Sequence, residues 1–175
     1  FKKKIKSKKI KFPIVIKPIN EGSSLGVYIC KNKIEFSKNY SKLKKIYDRI
    51  LVEEYIPGKE IQAAVMGNKS LGAIELIPKR KFYDYKAKYS SKAKTKHIMP
   101  ASLSQKKYKE VLFLAKKAHK VLGCKGITRS DFRFFNNKFY LLEINTQPGM
   151  TKLSLVPEIA HYCGIKFEDL VVWMI

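Results

Sequence analysis

Several clusters in this sequence have the residue types and spacing to do chemistry on a phosphate or a carboxylate. Arg129-Ser-Asp131-Phe-Arg133 is followed, one strand later, by Glu143-Ile-Asn145. Alternate residues of a strand share a face, so Arg129 and Asp131 point one way, as do Glu143 and Asn145. With a three-residue loop over 136–138, Asp131 falls opposite Glu143 and Arg129 opposite Asn145. Carboxylates meeting on one face need a cation between them, and oxygen donors of this kind suit Mg²⁺. A two-residue loop breaks that parity unless a bulge intervenes, and a plain Arg–Asp pair on a hairpin is the alternative.

Three further stretches carry similar potential. In Lys17-Pro-Ile-Asn-Glu-Gly22-Ser23-Ser24-Leu-Gly26, a strand delivers a lysine to a turn of glycine and hydroxyls. Lysine serves phosphate as a point charge, and glycine lets backbone N–H groups approach an anion. An ordinary hairpin turn needs the same small residues. In Glu53-Glu54-Tyr55-Ile56-Pro57-Gly58-Lys59-Glu60, an extended hinge can offer backbone groups to an adenine edge and a carboxylate to ribose hydroxyls. A charged, solvated edge strand is the competing reading. Asn145-Thr-Gln-Pro-Gly149-Met150, leading to Ser154 and Leu155, exposes backbone N–H groups after a buried strand. Beside Arg129 that could serve a developing oxyanion, or it is simply a turn.

These residues need elements to hold them. Phe12–Lys17, Val27–Lys31 and Leu51–Ile56 read as strands, the last stopped by Pro57-Gly58. Tyr40–Arg49 has the helical spacing of Leu43, Ile46, Tyr47 and Ile50. Glu60–Met66 and Leu71–Ile77 pair around a Gly67-Asn68 turn. Gln105–Leu122 is the clearest helix, with one apolar stripe of Tyr108, Val111, Leu112, Ala115, His119 and Leu122 ended by Gly123. Gly126–Phe135 and Lys138–Asn145 are strands, and helical segments near Val156–Cys163 and Phe167–Ile175 close the chain. Pro78–Pro100 is charged, aromatic-rich and without periodicity; loops of that length are usually functional or disordered. The fold class is α+β.

Composition narrows the function classes. A net charge of +23 invites a nucleic-acid partner, but only Arg49, Arg80, Arg129 and Arg133 supply the bidentate chemistry that reads bases and phosphates. The lysines are spread along the whole chain and read as a solvated surface, not a dedicated nucleic-acid face. Cys30, Cys124 and Cys163 are widely spaced and odd in number, against a disulfide scaffold or zinc site and in keeping with a cytoplasmic protein. No apolar run has the length of a membrane span. The chain begins with Phe1 in a lysine-rich lead and stops within an apolar segment, so both ends read as cuts.

Taken in order, the strand-end lysine before EGSSLG, the E-E-Y-I-x-G-x-E hinge, F-Y-D-Y-x-A-K-Y over Phe82–Tyr89, G-x-x-R-x-D and L-L-E-I-N-T-x-P-G-M-T resemble D-alanine–D-alanine ligases of the ATP-grasp superfamily. The resemblance runs from Phe12 to the last residue. It implies an ATP-grasp fold whose two α+β lobes hold ATP between them. Residues 1–50 would be part of the central lobe, and 51–175 the carboxy-terminal lobe with a lid loop at 78–100. The family's amino-terminal domain would be missing, leaving the fragment inactive alone.

The resemblance also implies roles. Lys17 and Lys88 contact ATP phosphates, and the Gly22–Ser24 loop covers them. Glu53 accepts from the adenine amino group, Ile56 offers backbone contacts and Glu60 holds the ribose. Asp131, Glu143 and Asn145 hold two Mg²⁺ ions, or Mn²⁺ in their place. Arg129 and the Gly149 N–H stabilise the tetrahedral oxyanion. Ser154 and Leu155 bind the second D-alanine, and Ser23 and Tyr89 lock the lid. The implied activity is ligation of two D-alanines through an acyl phosphate for peptidoglycan synthesis, by a homodimer in its full-length form. Another ATP-grasp carboxylate–amine ligase, such as a D-alanine–D-lactate ligase, is the nearest alternative; Lys88-Tyr89 favours the dipeptide maker. A lysine-rich nucleic-acid-binding module is the alternative from another class.

Overall fold

A computed structural model describes residues 10–22, 24–78, 95–151 and 154–175. Ser23, Lys88, Tyr89 and most of the expected lid lie outside the described residues. The described chain divides into two units, one ending at Tyr55 and the other beginning at Ile56.

In the first unit β1 (Ile14–Pro18), β2 (Tyr28–Cys30) and β3 (Ile50–Glu54) form an antiparallel sheet with β1 at its centre. Alternation along β1 buries Ile14 and Ile16, which cluster with Cys30 and with Leu43 of α1 (Lys33–Lys44). Burial pushes the Cys30 thiol pKa up, against a lowering hydrogen bond from Asn39. The helix starts well before the expected Tyr40. Its N-cap is Asn32, whose Oδ1 accepts from Glu35 N at 2.9 Å, a polar signal that apolar spacing does not register. Phe36, Tyr40, Leu43 and Tyr47 face the sheet, whereas Ile46 is 73% exposed. The pairing of β3 with β1 places Ile50–Glu54 in the first unit.

The second unit holds β4 (Lys59–Met66), β5 (Lys69–Ile77), β6 (Lys96–Ile98), β7 (Ile127–Phe135) and β8 (Lys138–Asn145). They form one antiparallel sheet in the order β6-β5-β4-β7-β8. At three residues, β6 is too short for periodicity to reveal it within the 78–100 stretch. One face of the sheet packs under α2 (Gln105–Val121): Ile61, Ala63, Val65, Ala73 and Phe132 cluster with Val111 and Ala115. Two shorter helices follow, α3 (Leu155–Tyr162) and α4 (Phe167–Met174), which bury Val156, Ile159, Ala160 and Leu170.

The hairpin of β7 and β8 decides the geometry of the site. Its loop has two residues, Asn136 and Asn137, at φ 46° and 61°, as a tight primed turn requires. Pairing runs Phe135↔Lys138 to Phe132↔Leu141, then shifts so that Asp131 pairs with Glu143 and Arg129 with Asn145. Leu142 is the extra residue of this bulge. The two-residue loop and the shared carboxylate face therefore coexist, reconciled by the bulge.

Candidate functional site

In the first unit, β1 and β3 bring Lys17 and Glu53 onto one face as diagonal neighbours, since Lys17 pairs with Leu51 and Val15 with Glu53. Lys17 Nζ lies 2.8 Å from Glu53 Oε2, with the side chains 19% and 30% exposed. Beyond β1 the chain turns, with Leu25 N donating to Gly22 O at 3.0 Å and Ser24 at φ 61°. Among the described residues nothing stands within 4 Å of a Cβ built at Gly22, so their packing does not demand glycine there. Glu21 accepts a hydrogen bond from Tyr47, which ties this loop to the segment after α1 and, with desolvation, raises the phenol pKa.

In the second unit, the expected site residues of β4 and β7 lie on the face turned away from α2. Ile61, Ala63 and Val65 pack on α2, so Glu60, Gln62 and Ala64 alternate to the other side, opposite Arg133, Asp131 and Arg129. Arg129 grips Asp131 with two hydrogen bonds, Nε to Oδ1 at 2.7 Å and Nη2 to Oδ2 at 3.0 Å. With the two side chains 14% and 8% exposed, this is a half-buried pair and not a surface one. Glu143, directly across from Asp131, is exposed. Asn145 Oδ1 accepts from Gln147 N at 3.0 Å, which fixes the amide at the start of the turn. An amide oxygen has a second lone pair, so this bond does not exhaust it.

The hinge is held by a residue to which the sequence reading gave no role. Arg133 Nε donates to the carbonyl of Ile56 at 3.0 Å, and its Nη1 to Glu60 Oε2 at 3.4 Å. Gly58, at φ 96°, makes this approach possible: a Cβ there would stand 2.2 Å from the Phe134 carbonyl oxygen. Parity along each strand puts Glu60 and Arg133 on the face away from α2, but that β4 and β7 are neighbours is seen only in the fold.

Gly149 and Ser154 also come together. A Cβ at Gly149 would lie 2.9 Å from Ser154 Oγ. That hydroxyl accepts from Thr151 N at 3.0 Å and lies 2.9 Å from Thr151 Oγ1, so it looks back to the turn and does not cap α3. Leu155 is buried at 6% exposure, so what it can offer a ligand is its backbone N–H at the helix start.

The fit of a divalent cation rests on this donor set. Asp131 and Glu143 are paired across β7 and β8, with Asn145 two residues along, giving carboxylate and amide oxygens of the kind Mg²⁺ takes. Buried Gln62, directly opposite Asp131 on β4, leaves its Oε1 without a hydrogen-bond partner among the described residues. Opposed carboxylates and an orphaned acceptor on one face are what a bound cation and its waters would satisfy. Among the described residues no three His, Cys, Asp or Glu side chains gather as a metal site.

A D-alanine–D-alanine ligase from Pelagibacter ubique (strain HTCC1062) is 63% identical over 172 residues, covering 98% of this chain and 56% of that protein. The crystal structure of a D-alanine–D-alanine ligase from Bacillus anthracis superposes with a TM-score of 0.81 at 32% identity, covering 93% of this chain and 53% of that one. The Bacillus anthracis ligase complexed with ATP gives 0.79 at 30% identity, covering 94% and 53% respectively. The chain thus spans about half the length of the relatives it matches. A family described as D-ala D-ala ligase C-terminus matches residues 1–175, and the chain belongs to that family.

Proposed function

We propose that the protein carrying this chain joins two D-alanines to D-alanyl-D-alanine with conversion of ATP to ADP and phosphate, in the cytoplasm, for peptidoglycan precursors. The observation that carries this reading is the pairing of Asp131 with Glu143 and of Arg129 with Asn145 across a bulged hairpin, in a chain of this family. The carboxylate of the first D-alanine attacks the γ-phosphorus, giving an acyl phosphate and ADP. The amine of the second attacks the acyl carbon, and phosphate leaves. Neither step needs a nucleophile from the protein, so positioning and charge carry the catalysis.

Lys17 and Lys88 supply positive charge to the phosphates, which Gly22 and Ser24 cover. Glu53 accepts from the adenine amino group, Ile56 presents hinge backbone groups, and Glu60 accepts from ribose hydroxyls. Asp131, Glu143 and Asn145 would hold two Mg²⁺ ions, or Mn²⁺ in their place, which when bound would neutralise charge on the transferring phosphate. Arg129 and Gly149 N–H stabilise the oxyanion of the tetrahedral species. Ser154 and the Leu155 N–H, at the start of α3, bind the second D-alanine's carboxylate. Ser23 and Tyr89 lock the lid, which keeps water from the acyl phosphate. The full-length protein acts as a homodimer.

The test is dipeptide synthesis by the full-length protein, supplied with ATP, Mg²⁺ and D-alanine, alone and in competition with D-lactate. Stoichiometric ADP and D-alanyl-D-alanine are expected, with D-alanine preferred as the second substrate. Preferential D-lactate incorporation would reassign it as a depsipeptide ligase. Absence of ADP release with either acceptor would sink the ligase reading.

A further inference from the structure

We infer that Arg133 is a positioning residue for nucleotide recognition, setting both the hinge carbonyl of Ile56 and the carboxylate of Glu60 through one guanidinium. The inference rests on the reading of Glu60 as the ribose ligand. Arg133 lies directly opposite Glu60 in the register of β4 and β7. Its Nε donates to Ile56 O at 3.0 Å and its Nη1 to Glu60 Oε2 at 3.4 Å. Both side chains are only 15% exposed, so the pair is partly withdrawn from water and sparingly screened.

The chemistry requires arginine. A planar guanidinium presents N–H donors in a fixed fork, so one side chain can hold two acceptors at a set separation. Here the acceptors belong to the two ends of the turn through Pro57 and Gly58, whose conformation is already narrow because Gly58 sits against the Phe134 carbonyl. Arg133 therefore ties the residue at the hinge to the residue beyond it. It also offsets the negative charge of Glu60, which must lie near an anionic nucleotide. A carboxylate fixed in this way pays less ordering entropy on binding a diol than a freely rotating one.

The consequence is measurable as ribose discrimination. In the full-length protein without D-alanine, calorimetry gives dissociation constants for ATP and 2′-deoxy-ATP. Wild type is expected to favour ATP by about tenfold, the loss of one hydrogen bond to a charged group. Glu60→Ala should abolish the preference. Arg133→Met should reduce it to about twofold, while kcat at saturating ATP stays within about twofold of wild type. If Glu60→Ala abolishes the preference and Arg133→Met retains it in full, the positioning role is overturned. If Glu60→Ala itself retains the preference, the ribose reading of Glu60 has failed, and the inference with it. Should Arg133→Met not fold, Arg133→Lys is measured instead. Its ammonium keeps charge beside Glu60 but cannot fork, so a reduced preference supports the role and an unchanged one overturns it.

Discussion

The two faces of the second unit's sheet are built from the same strands and filled differently. Under α2, Ile61, Ala63, Val65, Ala73 and Phe132 are buried in an apolar cluster. On the other face, β4 and β7 carry Glu60, Gln62, Arg129, Asp131 and Arg133, and β8 adds Glu143 and Asn145. The helix-covered face is held by area, and small errors in one side chain are spread over many neighbours. The ionic face depends on a few atoms in register, and a single extra residue at Leu142 sets that register. Stability and chemistry are thus separable along one strand.

Paired substitutions can break that separation. Glu143→Gln, on the exposed ionic face, is expected to lower turnover by about a hundredfold or more, because it weakens the anchor of a cation worth several kcal/mol of barrier. Its unfolding free energy should stay within about 0.5 kcal/mol of wild type. Ile61→Ala, on the helix face, should do the reverse. It removes a fully buried side chain and costs about 2–5 kcal/mol of stability, leaving turnover per folded molecule near normal. Urea denaturation alongside steady-state kinetics reads both; a Glu143→Gln protein with normal turnover would dissolve the contrast.

The helix face also buries polar side chains, His119 among them. His119, 1% exposed on α2, pairs through Nδ1 with Thr128 Oγ1 at 2.8 Å. Desolvation holds its pKa below the usual imidazole value, partly offset by a hydrogen bond with the backbone of Cys124. The folded state therefore resists the proton that the unfolded chain accepts. Stability is fully present above the ordinary value of 6.5 and falls as the pH drops from there through the depressed folded value. Melting temperatures between pH 8 and pH 5 should decline on the acid side in wild type. Replacement by Gln should flatten that limb, and an unflattened limb would assign it to other groups.

The same contrast explains what the sequence alone could disclose. The α2 stripe as far as His119 and the β4–β5 hairpin were readable, because burial imposes regular periods and Gly67-Asn68 marks its turn, whereas Leu122, counted in the stripe, is 61% exposed. The pairing of Asp131 with Glu143 was readable only as a conditional, since parity along β7 and β8 depends on a bulge that leaves no compositional mark. Arg133 stood in the motif without a role because its partners, Ile56 and Glu60, are more than seventy residues away in sequence. The α1 boundary was missed for the opposite reason. Its first turn is held by the Asn32 cap and carries exposed Ile34, so apolar spacing began to register only farther along.

The finest test of the comparison lies at the hairpin turn, where the two faces share one backbone. Asn136 and Asn137 both occupy left-handed conformations, at φ 46° and 61°, which any side chain with a Cβ adopts at some cost. Asparagine tolerates this better than most residues, but glycine at the second position is the preferred partner in a primed two-residue turn. Asn137→Gly is therefore expected to raise stability by no more than about 1 kcal/mol. The loop keeps its two residues, so the Leu142 bulge and the Asp131–Glu143 pairing stay in place, and turnover should be unchanged. A loss of turnover with a gain in stability would mean that the turn, and not the bulge, sets the ionic face. A loss of stability would mean that Asn137 contributes through its side chain, which the geometry of a primed turn does not require.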